Sequence, residues 1–213
     1  MPIKGQNNII KIVENDREQI VNDINIDGLK IDINGNNNTV IIELPAKYIN
    51  SNITIKGNNG FCHLKAARGR TIRRAVFWVE DGGILVFGSR ISSSGAIKII
   101  SKAGKKLEIG DECMFAGDIT VRNDDGHVIL DKDTNEVINP PADVVIENNV
   151  WIGSNVMIFK GAYVKRGSVI GAMSLVNKKF EKENVIIAGV PAKIIRENIA
   201  WNRNSYYIHT KNK

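Results

Sequence analysis

The sequence has few cysteines and no long apolar run. It contains two cysteines, Cys62 and Cys113, in 213 residues. This is too few for the disulfide framework of a secreted domain, so we expect two buried thiols in a reducing cytoplasm. No apolar run approaches the roughly 20 residues of a membrane-spanning helix, and the N-terminal segment MPIKGQNNII lacks the pattern of a secretory signal. The sequence therefore predicts a cytoplasmic protein without a transmembrane segment.

Histidine is also scarce, and the three that occur are His63, His127 and His209. A zinc hydratase site needs three imidazoles that converge on one metal ion, two of them close in sequence. These histidines are far apart in the sequence and show no such paired spacing. We therefore expect no metal site.

Positive charge is in moderate excess. Lysine and arginine outnumber aspartate and glutamate by 29 to 23, which gives a formal net charge of +6. Aromatic residues, at 6% of the chain, do not interleave with the cations as a base-stacking surface would require. No helix-turn-helix or zinc-finger spacing is present. The charge therefore indicates a phosphorylated cofactor or an acidic glycan as partner, and not nucleic acid.

An aliphatic residue recurs at every sixth position in the C-terminal half of the chain. The six positions are Ile146, Ile152, Ile158, Val164, Ile170 and Val176. Four residues after each of the first five comes another small or aliphatic residue: Val150, Val156, Ala162, Ser168 and Ser174. A period of six fits neither a helix face nor a simple strand alternation. It predicts an all-β solenoid in which short strands and tight turns stack coil upon coil.

The rest of the chain divides around this ladder. Residues 1–95 contain short apolar runs cut by Asn and Gly, which suit tight turns, and they predict irregular β coils that either start the solenoid or form a separate cap. Residues 96–191 are predicted to form the regular solenoid. Steps of six also connect Ile97, Ala103, Ile109, Phe115 and Val121. The polar segment 122–142 interrupts this rhythm and is predicted to be a loop ejected from one corner.

Residues 192–213 are predicted to form a C-terminal helix and tail. The helix would begin near Ala192. Its buried side would carry Ile194, Ile195 and Ile199, because residues three and four apart share a helix face. We expect the tail beyond it to be partly disordered.

Several motifs resemble those of the hexapeptide-repeat acyltransferases. The segments NVWIGSNV, GSVIGAMS and AGVPAKIIR occur in the order and spacing typical of the O-acetyltransferases of that superfamily, and the similarity covers residues 95–200. The sequence DDGH at 124–127, followed by VILD, resembles the branch that acetylates capsule and lipopolysaccharide sugars, with the polysialic acid O-acetyltransferases as the nearest comparison. The resemblance implies a left-handed parallel β-helix, a homotrimer, and acyl-CoA bound in the groove between two subunits.

A candidate base lies in the polar loop. Acetyl transfer from a thioester to a hydroxyl needs a base, donors for the developing oxyanion and positioning of both substrates. Histidine suits the role of base because its unperturbed pKa is about 6.5. The resemblance favours His127 over His63 and His209. Asp125, Asp124 or a backbone carbonyl would orient its ring.

Trp151 is the second candidate catalytic residue. It precedes the rung at Ile152, so its side chain is predicted to point out of the prism, where an exposed indole needs a reason. The resemblance implies a position beside the cofactor thiol, and packing in the trimer interface is the alternative. The backbone N–H groups of Gly153 and its neighbours are candidate oxyanion donors.

Seven residues occupy positions at which the resemblance implies contacts with acetyl-CoA. They are Ser154 near the thiol, Gly171 and Ala172 along the pantetheine arm, Asn177 and Lys178 where relatives have Thr-Lys, and Lys193 and Arg196 at the CoA phosphates. The alternative for the cations is that they are solvated or complement a helix end.

These observations predict an acetyl-CoA-dependent O-acetyltransferase. Its acceptor would be a sugar of a bacterial surface polysaccharide, capsule or lipopolysaccharide, with sialic acid as one candidate. We expect direct transfer to the hydroxyl, because neither cysteine lies in a recognisable nucleophile setting. N-acetylation of an amino-sugar nucleotide and a non-catalytic β-solenoid binding protein are the alternatives.

Overall fold

Short strands of branched aliphatic residues build the walls of a prism. A computed structural model of the chain describes residues 3–21 and 25–211. In the N-terminal half the strands are β1 (Ile3–Lys4), β2 (Ile9–Glu14), β3 (Arg17–Ile20), β4 (Leu29–Asn34), β5 (Thr39–Glu43), β6 (Tyr48–Ile49), β7 (Ser51–Lys56), β8 (Phe61–Leu64), β9 (Ile72–Arg73), β10 (Ala75–Glu80) and β11 (Ile84–Phe87).

The second half continues with shorter strands. They are β12 (Ser92–Ser93), β13 (Ile97–Lys102), β14 (Lys106–Ile109), β15 (Met114–Phe115), β16 (Ile119–Arg122), β17 (Val144–Ile146), β18 (Trp151–Ile152), β19 (Met157–Ile158), β20 (Tyr163–Val164), β21 (Val169–Ile170), β22 (Leu175–Val176), β23 (Lys179–Phe180), β24 (Ile186–Gly189) and β25 (Ala192–Arg196). A short helix, α1 (Tyr206–Lys211), follows them.

The strands form three long sheets, one on each face of the prism. The first sheet has the order β1-β4-β7-β10-β13-β16-β19-β22 and the second the order β23-β20-β17-β14-β11-β8-β5-β2-β3. The third has the order β12-β15-β18-β21-β24-β25, and β6 pairs separately with β9. Successive coils pair in parallel, so each coil passes through the first, second and third sheet in turn. The predicted all-β parallel solenoid is confirmed.

Three hexads make one coil in the C-terminal half. For the coil that follows the arm, the register on all three sheets pairs residues that lie 18 positions apart: Val145 with Tyr163, Trp151 with Val169 and Met157 with Leu175. Consecutive rungs of the ladder therefore lie on consecutive faces. All six rungs from Ile146 to Val176 are 0% exposed. Their branched side chains fill the narrow interior of the prism.

The N-terminal coils are longer than three hexads, which explains why they show no six-residue period. Leu29 pairs with Ser51 on the next coil, and Ile97 pairs with Ile119 in the same way. Each of these steps along the chain exceeds the spacing between Val145 and Tyr163. Strands such as β4 and β10 alternate buried and more exposed side chains. They belong to the same first sheet as the strands of the hexad region.

The steps of six between Ile97 and Val121 are therefore not true rungs throughout. Ile97, Ile109 and Val121 are buried as expected. Ala103 is instead exposed, with a φ of 55°, in the turn between β13 and β14. A coil whose length is not a multiple of six cannot keep a six-residue phase, so this part of the prediction is wrong.

Asparagine side chains stabilise turns between the first and second sheets. Asn38 is fully buried, and its Nδ2 donates to Asn8 Oδ1 and to Gly57 O, each at 3.0 Å. Its Oδ1 accepts from Gly60 N at 2.7 Å. A buried amide is tolerated when its hydrogen bonds are made. The Asn- and Gly-rich runs of the N-terminal region therefore serve its turns.

Residues 123–143, called the arm below, leave the prism between β16 and β17. Leu130 and Val137 form an antiparallel bridge within the arm, and Ile138 N donates to Ile129 O at 2.9 Å. The ejected segment is thus a short hairpin with internal hydrogen bonds. It begins one residue later than predicted because Arg122 still belongs to β16.

The chain does not form a helix at Ala192. Strand β25 runs antiparallel to β24 and covers the edge of the third sheet. Ile194 and Ile195 are 37% and 64% exposed, so the predicted helix with a buried isoleucine face is wrong at this place. An open sheet edge followed by β-branched residues favours strand addition over a helix. The short C-terminal helix does occur, at α1, and no described helix is long and apolar enough to cross a membrane.

Candidate functional site

The arm and Trp151 lie on different sides of the prism. The arm leaves the corner between the first and second sheets, because β16 belongs to the first and β17 to the second. Lys160 lies at the same corner one coil later, between β19 and β20. Trp151 begins β18 on the third sheet, which is the face opposite that corner in a three-sided prism. Within one chain the two predicted catalytic residues are therefore on separate faces.

Asp124 builds the turn that precedes His127. Its Oδ2 accepts from Gly126 N at 2.8 Å, and its Oδ1 accepts from the Arg122 guanidinium at 3.0 Å. Gly126 has a φ of 87°, a conformation that suits glycine. Asp124 therefore caps the turn and ties it to the end of β16.

Asp125 is engaged by two side chains other than histidine. Its Oδ2 accepts from Lys160 Nζ at 2.6 Å and from Asn139 Nδ2 at 2.9 Å. The hydrogen bond from Lys160, with a smaller contribution from Asn139, holds the pKa of the Asp125 carboxyl below its usual value. Within residues 3–21 and 25–211, the hydrogen bond made by His127 runs through its backbone and none joins its ring to Asp125. Asp125 thus forms its ion pair with Lys160 of the prism and not with the imidazole of His127.

Asn139 holds the backbone of His127, a role that was not recognised from the sequence. Its Nδ2 donates to His127 O at 2.9 Å, and its Oδ1 accepts from Ile129 N at 2.6 Å. Its backbone oxygen accepts from Lys160 Nζ at 2.8 Å. The His127 side chain is exposed, so the arm presents an accessible imidazole on a tethered backbone. No sequence signal distinguished Asn139 from other asparagines of the chain.

Trp151 lines a cavity on the third face. Its side chain points outward and is 38% exposed, as predicted. The cavity has a volume of about 460 Å³. Its lining contains no acidic residue and comprises Trp151, Val169, Ile186, Arg196, Asn198, Ile199, Ala200 and Trp201. Two predicted site residues, Trp151 and Arg196, are therefore brought together.

The segment after β25 runs back over the third face and supplies Trp201. The Trp151 and Trp201 ring centroids lie 6.1 Å apart with the planes tilted by 42°. Trp201 Nε1 donates to Asn149 O at 2.9 Å. Arg203 anchors the segment through hydrogen bonds to Ser92 Oγ (2.9 Å), Cys113 O (2.9 Å), Arg90 O (3.4 Å) and Glu112 O. A tryptophan in a polar tail was the available sequence signal for this contact, and its meaning was not recognised from the sequence.

Gly153 and Gly171 allow neighbouring coils to approach closely at the corner between the third and first sheets. A Cβ atom at Gly153 would lie 2.7 Å from Ala172 N, and one at Gly171 would lie 3.0 Å from Ala188 Cβ. Both distances are shorter than ordinary contacts, so larger residues would push the coils apart. The small residues predicted along the pantetheine arm therefore also have a packing role.

The backbone at this corner offers different donors from the one predicted. Gly153 N donates to Ile170 O at 2.8 Å within the sheet ladder. Its N–H is therefore not free for an oxyanion, contrary to the sequence prediction. Among the described hydrogen bonds, none uses the backbone N–H groups of Ser154 and Ala172, which lie on adjacent coils. These two N–H groups therefore replace Gly153 N–H as candidate donors to a ligand.

The remaining predicted cofactor residues are exposed and lie in two places. Asn177 and Lys178 lie between β22 and β23, at the corner from which the arm leaves. Lys193 and Arg196 lie on β25, at the edge of the third sheet. In the part of the chain that the structure describes, no ion pair joins any of these three cations to a carboxylate. Each is thus accessible to an anion such as a phosphate.

The cysteines lie inside the prism. Cys62 and Cys113 are both 0% exposed. Burial raises the pKa of the Cys113 thiol to about 12 and the pKa of Cys62 further above its usual range. A buried neutral thiol is a poor nucleophile. Among the described residues there is also no cluster of three His, Cys, Asp or Glu side chains that could hold a metal ion.

Comparison with curated proteins identifies acetyltransferases of sugars as relatives, although no family model matches the chain. The chain is 36% identical over 173 residues to the polysialic acid O-acetyltransferase of Neisseria meningitidis, which covers 81% of this chain and 79% of that protein. It is 33% identical over 122 residues to the polysialic acid O-acetyltransferase of Escherichia coli O1:K1 / APEC, covering 57% of this chain and 39% of that protein. The galactoside O-acetyltransferase of Escherichia coli (strain K12) is 38% identical over 136 residues, which are 61% of this chain and 65% of that protein.

Solved structures show the same architecture along nearly the whole chain. The polySia specific acetyltransferase NeuO has a TM-score of 0.75 at 27% identity, over 99% of this chain and 96% of that one. The polysialic acid O-acetyltransferase OatWY has a TM-score of 0.75 at 30% identity, over 95% and 92% of the two chains. The likeness thus extends to the N-terminal coils, which the sequence motifs did not reach. By its identity to these relatives and its left-handed parallel β-helix, the chain belongs to the hexapeptide-repeat acyltransferases and is an acetyltransferase.

Proposed function

We propose that this enzyme transfers acetyl from acetyl-CoA to a hydroxyl group of a bacterial surface polysaccharide sugar, with His127 as general base. The observation that carries the proposal is the presentation of an exposed histidine on a tethered arm beside the prism. The names of the relatives support a sugar acceptor. Acetyl-CoA supplies an acetyl group that is already activated as a thioester, so the protein needs to supply proton transfer, positioning and oxyanion donors.

In the proposed reaction His127 accepts the proton of the sugar hydroxyl. The hydroxyl oxygen forms its bond to the acetyl carbonyl carbon, and the C–S bond of the thioester then breaks. The imidazolium of His127 returns the proton to the departing thiolate, so the products are the acetylated sugar and free CoA. No acyl-enzyme forms, which is supported by the burial of both thiols inside the prism.

The free backbone N–H groups at the corner between the third and first sheets suit the role of oxyanion donors. Ser154 follows Trp151 and Gly153 along the chain, and its N–H takes part in no described hydrogen bond. A donor that is fixed before the reaction stabilises developing negative charge without reorganisation. We assign this role to Ser154 N–H, and we place the pantetheine arm along Gly171 and Ala172, which have little or no side chain to obstruct it.

The exposed cations suit the phosphate end of CoA. Lys193 and Arg196 lie on β25, and Arg196 also lines the cavity beside Trp151. Arginine and lysine match phosphate by charge and by donor geometry. Asn177 and Lys178 lie in the next corner of the same C-terminal coils. Trp151 and Trp201 form the apolar side of this region, which would shield the thioester from water.

We further propose that the active site forms between copies of the chain in a homotrimer. The arm leaves one corner of the prism and Trp151 lies on the opposite face. In a cyclic assembly, different surfaces of neighbouring copies meet at each interface. The arm of one copy would then meet the Trp151 face of the next, which would bring His127 to the cofactor.

An acidic glycan is the acceptor class that the charge favours. The chain carries a net charge of +6, and Arg68, Arg70, Arg73 and Arg74 are exposed on the N-terminal coils. Positive surfaces attract polyanions and raise their association rates. Two relatives are named for polysialic acid, which is an acidic polymer.

The test is to incubate the purified protein with acetyl-CoA and a panel of glycans. Transfer is measured by the release of free CoA and by the mass of the product. Replacing His127 with alanine should lower turnover by roughly 10²–10⁴-fold and leave the affinity for CoA near that of the wild type. His209→Ala provides the matched control, since His209 is exposed on α1 and its described hydrogen bond joins it to Ser205. Unchanged turnover in His127→Ala would refute the assignment of the base. A product acetylated on nitrogen would refute the assignment of the acceptor group.

A further inference from the structure

One asparagine and one lysine fasten the arm at its base. Asn139 uses both hydrogens of its Nδ2, one on Asp125 Oδ2 and one on His127 O, each at 2.9 Å. Its Oδ1 accepts from Ile129 N at 2.6 Å. The side-chain amide of Asn139 therefore contacts Asp125, His127 and Ile129, which are alternate residues of one segment.

Lys160 joins this amide network to the prism. Its Nζ lies 2.6 Å from Asp125 Oδ2 and 2.8 Å from Asn139 O. Lys160 lies in a turn of the following coil, and its side chain is only 22% exposed. The ion pair and the backbone contact thus fix both ends of the arm to the prism.

We propose that Asn139 and Lys160 are positioning residues that hold the imidazole of His127 in place for proton transfer. The inference rests on the proposed function, in which His127 is the base. An exposed side chain on a long excursion from the prism would otherwise sample many positions, and a displacement of about 1 Å from the productive geometry can cost 10²-fold in rate. The sequence suggested Asp125 as one partner that could orient the ring of His127. The proposed network acts instead on the backbone of His127.

Kinetics of four variants test this role. Asn139→Ala should lower kcat by about 10–10²-fold and change the KM for acetyl-CoA by less than about two-fold. Lys160→Met should lower kcat in the same manner, and Lys160→Arg should restore much of the loss because it keeps the charge. Lys132→Met, an exposed lysine of the same arm without a described ion pair, should be unaffected. An unchanged kcat in Asn139→Ala would overturn the proposal.

A double variant separates positioning from general damage. If Asn139 acts through His127, adding Asn139→Ala to a chain that already carries His127→Ala should not lower kcat further. A general defect in folding would lower the residual rate of the His127→Ala enzyme again by the same factor. That second result, or a fall in the stoichiometry of CoA binding, would contradict a positioning role.

Proteolysis tests the network without any acceptor sugar. Lys132 lies at the exposed far end of the arm, where trypsin can cleave. Asn139→Ala and Lys160→Met should raise the rate of cleavage after Lys132 several-fold, since the arm opens more often when its base is released. Equal cleavage rates in wild type and variants would overturn the network. If the network is confirmed but His127→Ala keeps full activity, the proposed base is wrong and the tether of the arm still stands.

Discussion

At the scale of single residues, position on the solenoid decides chemical character. Side chains that point inward, such as the rungs and both cysteines, are sealed in a narrow apolar interior. Side chains at corners and on outer faces keep their polar groups accessible, as His127, Lys178 and Arg196 do. The burial of both thiols supports the proposed direct transfer, because that mechanism assigns no covalent step to a cysteine.

The cysteines are therefore predicted to be dispensable for catalysis. In the native protein neither thiol should react with iodoacetamide, because burial keeps both neutral and inaccessible. After unfolding, both should react. The double variant Cys62→Ala/Cys113→Ala should keep kcat within about three-fold of the wild type, apart from a loss of stability of the order of 1 kcal/mol per site. An acetylated cysteine detected by mass spectrometry during turnover would contradict direct transfer.

The sequence could single out His127 and Trp151 as candidates but not the residues that contact them. An imidazole beside acidic residues and an indole next to a rung are visible as local patterns. The contacts of Asn139 and Lys160 with the arm, and of Trp201 with Trp151, join residues that are distant in sequence. Such contacts are set by the stacking of coils and by the return of the C-terminal segment. The periodic patterns of the sequence therefore do not predict these contacts.

At the scale of elements, the arm is an appendage whose order depends on a few polar contacts. Its large apolar residues Val128, Ile129 and Ile138 are more than half exposed, so little apolar burial within the chain stabilises it. Its hairpin bridge and the contacts at its base must therefore set its conformation. This dependence makes the arm sensitive to the charge on Asp125.

Acid is predicted to release the arm. Lys160 lowers the pKa of Asp125 relative to the unfolded chain, and the stabilisation by this pair is therefore complete above the unfolded value of about 4. It is lost as pH falls through the lower pKa of the folded state. Amide hydrogen exchange in residues 125–139, corrected for intrinsic rates, should be constant from about pH 5 to 8 and rise below about pH 4.

The variant Lys160→Met supplies the control for this acid response. Without the lysine, the arm should already exchange faster at neutral pH and show a smaller additional rise in acid. Exchange that accelerates between about pH 5 and 7 in the wild type would assign the pH response to a group other than Asp125.

Strand prediction succeeded where the chain obeys one short period. The hexads predicted the inward residues from Ile146 to Val176 without error. They failed at Ala103, because the N-terminal coils are longer than three hexads. The helix predicted from Ala192 by three- and four-residue spacings was also wrong, because the last strand of the third sheet offers an open edge. In the second case the segment Ala192–Arg196 gains strand hydrogen bonds that an isolated helix could not match.

At the scale of the whole molecule, the change in coil length and the arm occur together. Longer coils precede the arm, and coils of three hexads follow it. The prism is therefore wider in its N-terminal part and narrower in the part that carries the proposed cofactor residues. The C-terminal segment runs back along the third face to the wider part, where Arg203 is anchored by Ser92 and Cys113. The structure thus places Trp151 and Trp201 near the transition between the two parts.

An active site formed between two copies can be restored by mixing two variants of low activity, whereas a site within one copy cannot. His127→Ala and Trp151→Ala should each give an enzyme of low activity. When differently tagged copies of the two variants are co-expressed and mixed trimers are purified, activity should return to about one third of the wild-type value. This fraction follows because a working site needs an intact arm from one copy and an intact Trp151 face from its neighbour, and in a cyclic mixed trimer of either composition about one interface in three joins the two.

The matched control mixes two variants of the same arm. Co-expression of His127→Ala with Asn139→Ala should give no more than the mean of the two parent activities, because no copy then carries an intact arm. Recovery in the first mixture but not in the second would require the arm and the Trp151 face to act across a boundary between copies. Confirmed mixed trimers without recovery would instead require His127 to reach Trp151 within its own chain, by moving the arm around the prism from the corner at which Lys160 holds it.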